Sequence, residues 1–197
     1  MPRIPYDGAR AAMSERSSGD YGSATEECAD DDVMSPAAKA QQICLRLLTA
    51  RPRSRVELAD ALLRRGIGEE VSEFVLDRLG ELGLVNDAAF AEAAVYSGHR
   101  RRGLGKRALR SELQHRGISE EITREAVAMV APEDEEQRAR ELVRRKLSTS
   151  PPRNNSLARK LGAMLIRKGY SEGLAWRVVR DELGPDNCAA EIEPSPD

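Results

Sequence analysis

One eleven-residue phrase is written three times in this chain. "ALLRRGIGEEV" occupies residues 61–71, "ELQHRGISEEI" 112–122 and "MLIRKGYSEGL" 164–174, so the central glycines Gly66, Gly117 and Gly169 lie 51 and 52 residues apart. A period of that length marks a repeat architecture, in which each copy is one small supersecondary unit stacked on the next. The residues of the phrase define what the unit contains. A glycine just past a helix end takes the left-handed conformation that a Cβ penalises. The next residue, Ile67, Ile118 or Tyr170, then closes over the residue five before it, Leu62, Leu113 or Leu165, as a Schellman turn requires. Basic residues in the closing turn (Arg64, Arg65; Arg116; Arg167, Lys168) favour the negative end of the helix. Gly68, Ser119 or Ser171 is then placed to cap a new helix, with Glu69, Glu120 or Glu172 in its first turn. The phrase is a helix stop, a short turn and a helix start.

The flanking periodicity extends this to a complete unit. Leu58 and Leu62, Leu109 and Leu113, and Leu161 and Leu165 are pairs four apart on one helical face. A further helix precedes each pair, at roughly 37–50, 87–101 and 134–148, ended by loops rich in Pro, Gly or Ser. With 4% aromatic and 32% charged residues, the composition also favours helices. The expected fold is all-α: three helix-turn-helix-like units of three helices each, at 37–86, 87–132 and 133–184, forming an elongated, curved array. Such short bundles bury little alone, so neighbouring units are expected to pack on one another.

A net charge of −2 conceals a strong asymmetry. Residues 1–36 carry three basic and eight acidic side chains, and residues 184–197 carry four acids and no base. The helical body between them holds 28 basic and 21 acidic residues. Both ends lack apolar periodicity and read as disordered acidic tails, at 1–36 and 185–197, on a basic body. No apolar run approaches the roughly 18 residues of a membrane span, and the N-terminal stretch lacks the apolar segment of a secretory signal. Cys28, Cys44 and Cys188 are odd in number and far apart, which argues against a disulfide framework and for a reducing, cytoplasmic location.

Catalytic chemistry finds no foothold. "GLGK" at 103–106 resembles part of a phosphate loop, but that pattern needs Gly at 100 and Ser or Thr at 107, where Arg100 and Arg107 stand. His99 and His115 lie sixteen apart with no cysteine or paired acid at ligand spacing. No metal, cofactor or small-molecule substrate is expected, and the chain reads as a non-enzyme. Asp87 is expected to cap or enter the helix carrying Phe90, Phe90 to join the core, and Trp176 to pack half-buried.

What is left is charge. Arg100, Arg101, Arg102, Lys106, Arg107 and Arg110 place six cations in eleven residues, and Arg138, Arg140, Arg144, Arg145 and Lys146 form a second cluster. The first three are expected to be exposed and unpaired within their own unit. Such clusters are often only a solvated face. Otherwise they suit an acidic protein surface, where guanidinium forks pair with carboxylates, or the phosphate backbone of nucleic acid. The lack of aromatics among the arginines argues against base stacking.

The middle unit, "LGLVNDAAFAEAAVYSGHRRRGLGKRALRSELQHRGI" at 82–118, resembles the RecX family of regulatory proteins, modulators of the recombinase RecA. Asn86, Asp87, Phe90 and Ala91 match the family's N/D-D-x-x-F-A run. Arg100 to Gly105 match its basic, glycine-containing loop, and a leucine-bearing helix ending in "RGI" follows. The aromatic that often follows the Phe is represented only by Tyr96. The resemblance covers about residues 40–183. It implies a partner, RecA in its nucleoprotein filament, with contacts to the DNA backbone there as a supplement. It also implies a role in restraining RecA's ATP hydrolysis, strand exchange and co-protease activity in recombination and the SOS response. The contact residues expected on this reading are Arg100, Arg101, Arg102, Lys106, Arg107, Arg110, Arg144 and Arg145, with Gly66, Gly117 and Gly169 as structural caps. A sequence-independent DNA-binding helical protein is the alternative.

Overall fold

A computed structural model describes residues 34–149 and 155–184. The acidic ends and Cys28 and Cys188 lie outside those residues. Helices α1 (Pro36–Ala50), α2 (Arg55–Leu63) and α3 (Glu69–Glu81) form the first unit. The second holds α4 (Asp87–Ser97), a π-helical turn (Gly98–Arg102), α5 (Lys106–His115) and α6 (Glu120–Ala128), and the third α7 (Pro132–Leu147), α8 (Asn155–Arg167) and α9 (Glu172–Leu183). No strand occurs among the described residues. The all-helical, three-unit reading holds.

Local chemistry explains the boundaries. The side chains of Ser35, Ser54, Asn86, Ser119 and Ser171 each accept a hydrogen bond from a backbone N–H in the following first turn, satisfying one of the donors a helix start leaves open. Gly66, Gly117 and Gly169 have φ of 75°, 75° and 87°. The N–H of Ile67, Ile118 and Tyr170 donates back to the carbonyl of Leu62, Leu113 and Leu165 at 3.2, 3.1 and 3.2 Å. That is the Schellman closure the repeated phrase predicted.

Each unit buries its own apolar cluster. Cys44, Leu58, Leu62, Leu76 and Leu79 centre the first, Phe90, Ala91, Leu109, Leu113 and Val127 the second, and Val143, Leu165, Tyr170, Val178 and Leu183 the third. Burial pushes the Cys44 thiol pKa up. Trp176 is half-buried, its ring filling the space where a side chain at Gly162 would stand.

The units are joined by one construction used twice. At the first joint the start of α2 sits on the turn of the second unit. There Ser54 Oγ donates to the Arg116 carbonyl at 2.7 Å, and Val56 packs where a Cβ on Gly117 would come within 2.6 Å. At the second joint the start of α5 sits on the turn of the third unit, with Gly105 N–H donating to Lys168 O at 2.8 Å and Arg107 N–H to Gly169 O at 3.1 Å. An acid near the start of the next unit's first helix completes each joint. Asp87 accepts from Arg55 N–H at 2.8 Å and Glu135 from Lys106 N–H at 2.9 Å, placing a carboxylate at the positive end of the seated helix. Asp87 therefore does more than open its own helix, where Asn86 is the cap. Gly66 has no such neighbour within 4 Å of its Cβ position.

Candidate partner-binding surface

The first basic cluster lies on the π-helical turn and the start of α5, beside the second joint. A π turn is a frequent local departure in α-helices at functional sites. Here it ends at Gly103, whose φ of 65° is left-handed and whose N–H donates to Gly98 O. The turn's carbonyls face the third unit: Arg138 Nη2 donates to Arg100 O at 2.6 Å, Lys168 Nζ to Arg102 O at 2.7 Å, and the buried Tyr170 hydroxyl to Gly103 O at 3.2 Å.

This tethering corrects the expectation that Arg100, Arg101 and Arg102 are all unpaired. Arg102 forms an ion pair with Glu112 of its own unit at 2.8 Å. The Arg100 guanidinium lies 5.8 Å from the centroid of the Tyr96 ring, within cation–π range. Continuing α4 as a helical turn sends three consecutive side chains in different directions, and two of them meet neighbours. Arg101, Lys106, Arg107 and Arg110 have no side-chain partner among the described residues. Lys106 and Arg110, four apart, share a face of α5.

The second cluster is mostly neutralised inside the third unit. Arg140 reaches Glu136 and Asp181, each at 2.7 Å, and Glu182 at 3.4 Å. Arg144 pairs with Glu182 at 2.8 Å, Arg177 with Glu136 at 2.8 Å, and Arg138 with Glu141 at 2.7 Å. Arg145 and Lys146 are exposed and unpaired among the described residues. The acids that complete this network come from α9, about forty positions away, so the arginine run alone could not show it.

The network carries a pH signature. Hydrogen bonds from Arg140, Arg138 and Arg144 hold the carboxyl pKa values of Glu136, Glu141 and Glu182 below the ordinary glutamate value. A pKa depressed by folding adds stability that is fully present above the unfolded-state value, about 4.3. That stability is lost as pH falls through the depressed folded value. Urea midpoints recorded from about pH 6 to pH 3 are expected to fall on acidification, and less steeply in Arg140→Gln than in wild type. Parallel profiles for the two proteins would show the network to be energetically silent, as many exposed pairs are.

His99 is buried, and its Nδ1 lies 3.1 Å from Leu104 O. Among the described residues no cluster of three or more His, Cys, Asp or Glu could hold a metal ion, and no helix is long and apolar enough to cross a membrane.

Comparison with known proteins matches this architecture unit by unit. Models described as the first, second and third three-helix domains of RecX match residues 40–79, 86–127 and 133–179. Regulatory protein RecX of Thermobifida fusca is 51% identical over 161 residues, 81% of this chain and 86% of that protein. Regulatory protein RecX of Streptomyces lividans is 51% identical over 149 residues, 75% of this chain and 79% of that one. A crystal structure of RecX from Lactobacillus salivarius superposes with a TM-score of 0.66 over 74% of this chain and 96% of that chain; at 21% identity this likeness speaks for the fold alone. A second crystal structure, of regulatory protein RecX, gives 0.63 at 25% identity over 74% of this chain and 72% of that one. With three units matched in order and half the residues shared with regulatory proteins of that name, the chain belongs to the RecX family.

Proposed function

We propose that this protein is a non-catalytic cytoplasmic regulator that binds RecA in its nucleoprotein filament and restrains ATP hydrolysis, strand exchange and co-protease activity. The observation that carries the reading is the group of free cations on the second unit, Arg101, Lys106, Arg107 and Arg110. The neighbouring Arg100 and Arg102 are committed to the Tyr96 ring and to Glu112; these four are left for a partner. Arg145 is a free cation of the third unit, and Arg100, Arg102 and Arg144 are held in contacts that a partner's carboxylates would have to replace. Bridging two protomers through a tandem array would favour one filament geometry and so shift its population.

The alternative, DNA binding by helix-turn-helix units, meets an electrostatic obstacle. In that mode the last helix of the unit enters the major groove by its first turn. Here those first turns carry Glu69 and Glu70, Glu120 and Glu121, and Glu172, which phosphates repel. Any contact with DNA in the filament would run through α5 and the phosphate backbone instead.

The test is RecA's DNA-dependent ATPase with this protein titrated in. Wild type is expected to inhibit at low ratios to RecA. Changing Arg101, Arg107 and Arg110 together to Glu is expected to weaken inhibition by about tenfold or more, since repulsion replaces attraction at the contact. Stability should change by no more than about 0.5 kcal/mol per site, because none of these residues is a cap or in the core. Rising salt should weaken wild type and narrow the gap. Undiminished inhibition by the folded variant at low and moderate salt would place the contact elsewhere on the molecule.

A further inference from the structure

A cavity of about 260 Å³ opens where the second unit meets the third, between α4 with its π turn and α7. It is smaller than the roughly 300–1,000 Å³ typical of small-molecule pockets, a size that suits one side chain. Val95, Met129 and Val130 supply apolar wall, and Tyr96 and Met129, each 65% exposed, stand at it. Exposed apolar side chains beside a concave site mark a place where another surface packs.

The polar lining selects the occupant. Its two cations already make contacts: Arg138 through its two Nη atoms with Glu141 and the Arg100 carbonyl, and Arg100 over the Tyr96 ring. Two of its acids, Glu92 and Asp134, have no partner among the described residues. His99, only 7% exposed, lines the same space. The Leu104 carbonyl accepts from its Nδ1, and Nε2 takes no part in that bond. No hydrogen bond is made by that Nε2 among the described residues. Two free carboxylates and an apolar wall together describe a receptor for a cation on a methylene stem.

We propose that this inter-unit cavity receives one arginine side chain presented by a protein partner. The stem lies against Met129, Val95 and Val130, and the guanidinium fork donates to Glu92 and Asp134. Arginine fits better than lysine because its planar fork can serve several acceptors at once. The site is separate from the free basic residues on α5 and opposite in sign, so a partner using both would have to present acid and base at a fixed distance. Because the walls come from two units, occupancy also ties the second unit to the third.

The probe is N-acetyl-arginine amide, titrated into the full-length protein while the Met129 methyl and His99 ring signals are followed by NMR. The expected result is saturable, weak binding, lost by about tenfold or more in the double variant Glu92→Gln with Asp134→Asn. Met129→Trp, which fills the cavity, should abolish it in a protein that still folds. N-acetyl-citrulline amide, the same shape without the charge, should bind far less. Arg138 Nε is buried without a hydrogen-bond partner, so N-acetyl-glutamate amide is the opposing probe. Tighter binding of glutamate than arginine overturns the proposal, as does equal binding of citrulline, no saturable shift with arginine, or an unchanged double variant. None of these outcomes depends on RecA, so the RecA reading stands or falls separately, on the ATPase titration.

Discussion

Gly169→Ala is expected to cost about 3 kcal/mol or more and to loosen the third unit from the second, while Gly66→Ala costs only about 1 kcal/mol. Both glycines sit at positive φ in copies of the same turn, so an alanine at either meets the left-handed penalty. The difference lies in what stands opposite. Gly66 has open space where its Cβ would go. At Gly169 that Cβ would collide with the backbone nitrogen of Ala108, the residue after Arg107, whose N–H is bonded to the Gly169 carbonyl. A main-chain atom held by hydrogen bonds cannot swing aside as a side chain can, so the joint must open. Gly117 should fall between the two, because its obstacle is the Val56 side chain. Urea denaturation of the three alanine variants gives the ranking directly. Three equal losses would mean that the glycines serve only their own turns and that the joint is not close-packed there.

Leu165→Ala is expected to cost about 2–5 kcal/mol, the usual range for a fully buried leucine, and the loss should be local. Leu165 is 0% exposed within the cluster of the third unit. The first unit has its own cluster and meets the second through a Ser hydroxyl, an Asp carboxylate, a Glu57–Arg116 ion pair and one valine at a glycine. Joints of that kind transmit less stability than a shared core, as in other repeat proteins. Hydrogen exchange should therefore show lost protection in α8 and α9 with protection kept in α2 and α3. Uniform loss across all three units would show one cooperative core and refute the description as separate clusters.

Much of this fold could be read along the chain because its signals are local. The turn glycines, the leucine pairs four apart and the serine caps act within about six residues, and the structure shows them at Leu62, Leu113 and Leu165 and at Ser119 and Ser171. The joints were not legible. Asp87 and Glu135 look like ordinary first-turn acids, and only folding reveals that they accept from Arg55 and Lys106, 32 and 29 residues upstream. Charge was half legible. The basic runs are plain in the sequence, but two of the acids that bind Arg140 and Arg144, Asp181 and Glu182, lie roughly forty positions on. The π turn gave no advance sign beyond Gly98 and Gly103, and it is what separates Arg101 from its two committed neighbours.

The second joint has one further consequence. Two of the hydrogen bonds that seat α5 on the turn of the third unit run from main chain to main chain. The step from one unit to the next is thus set by peptide dimensions, which every sequence shares. Cations on α5 or acids on α7 can be exchanged for other residues while the distance between them along a partner stays put. The molecule is a ruler whose graduations are fixed and whose markings are free to change.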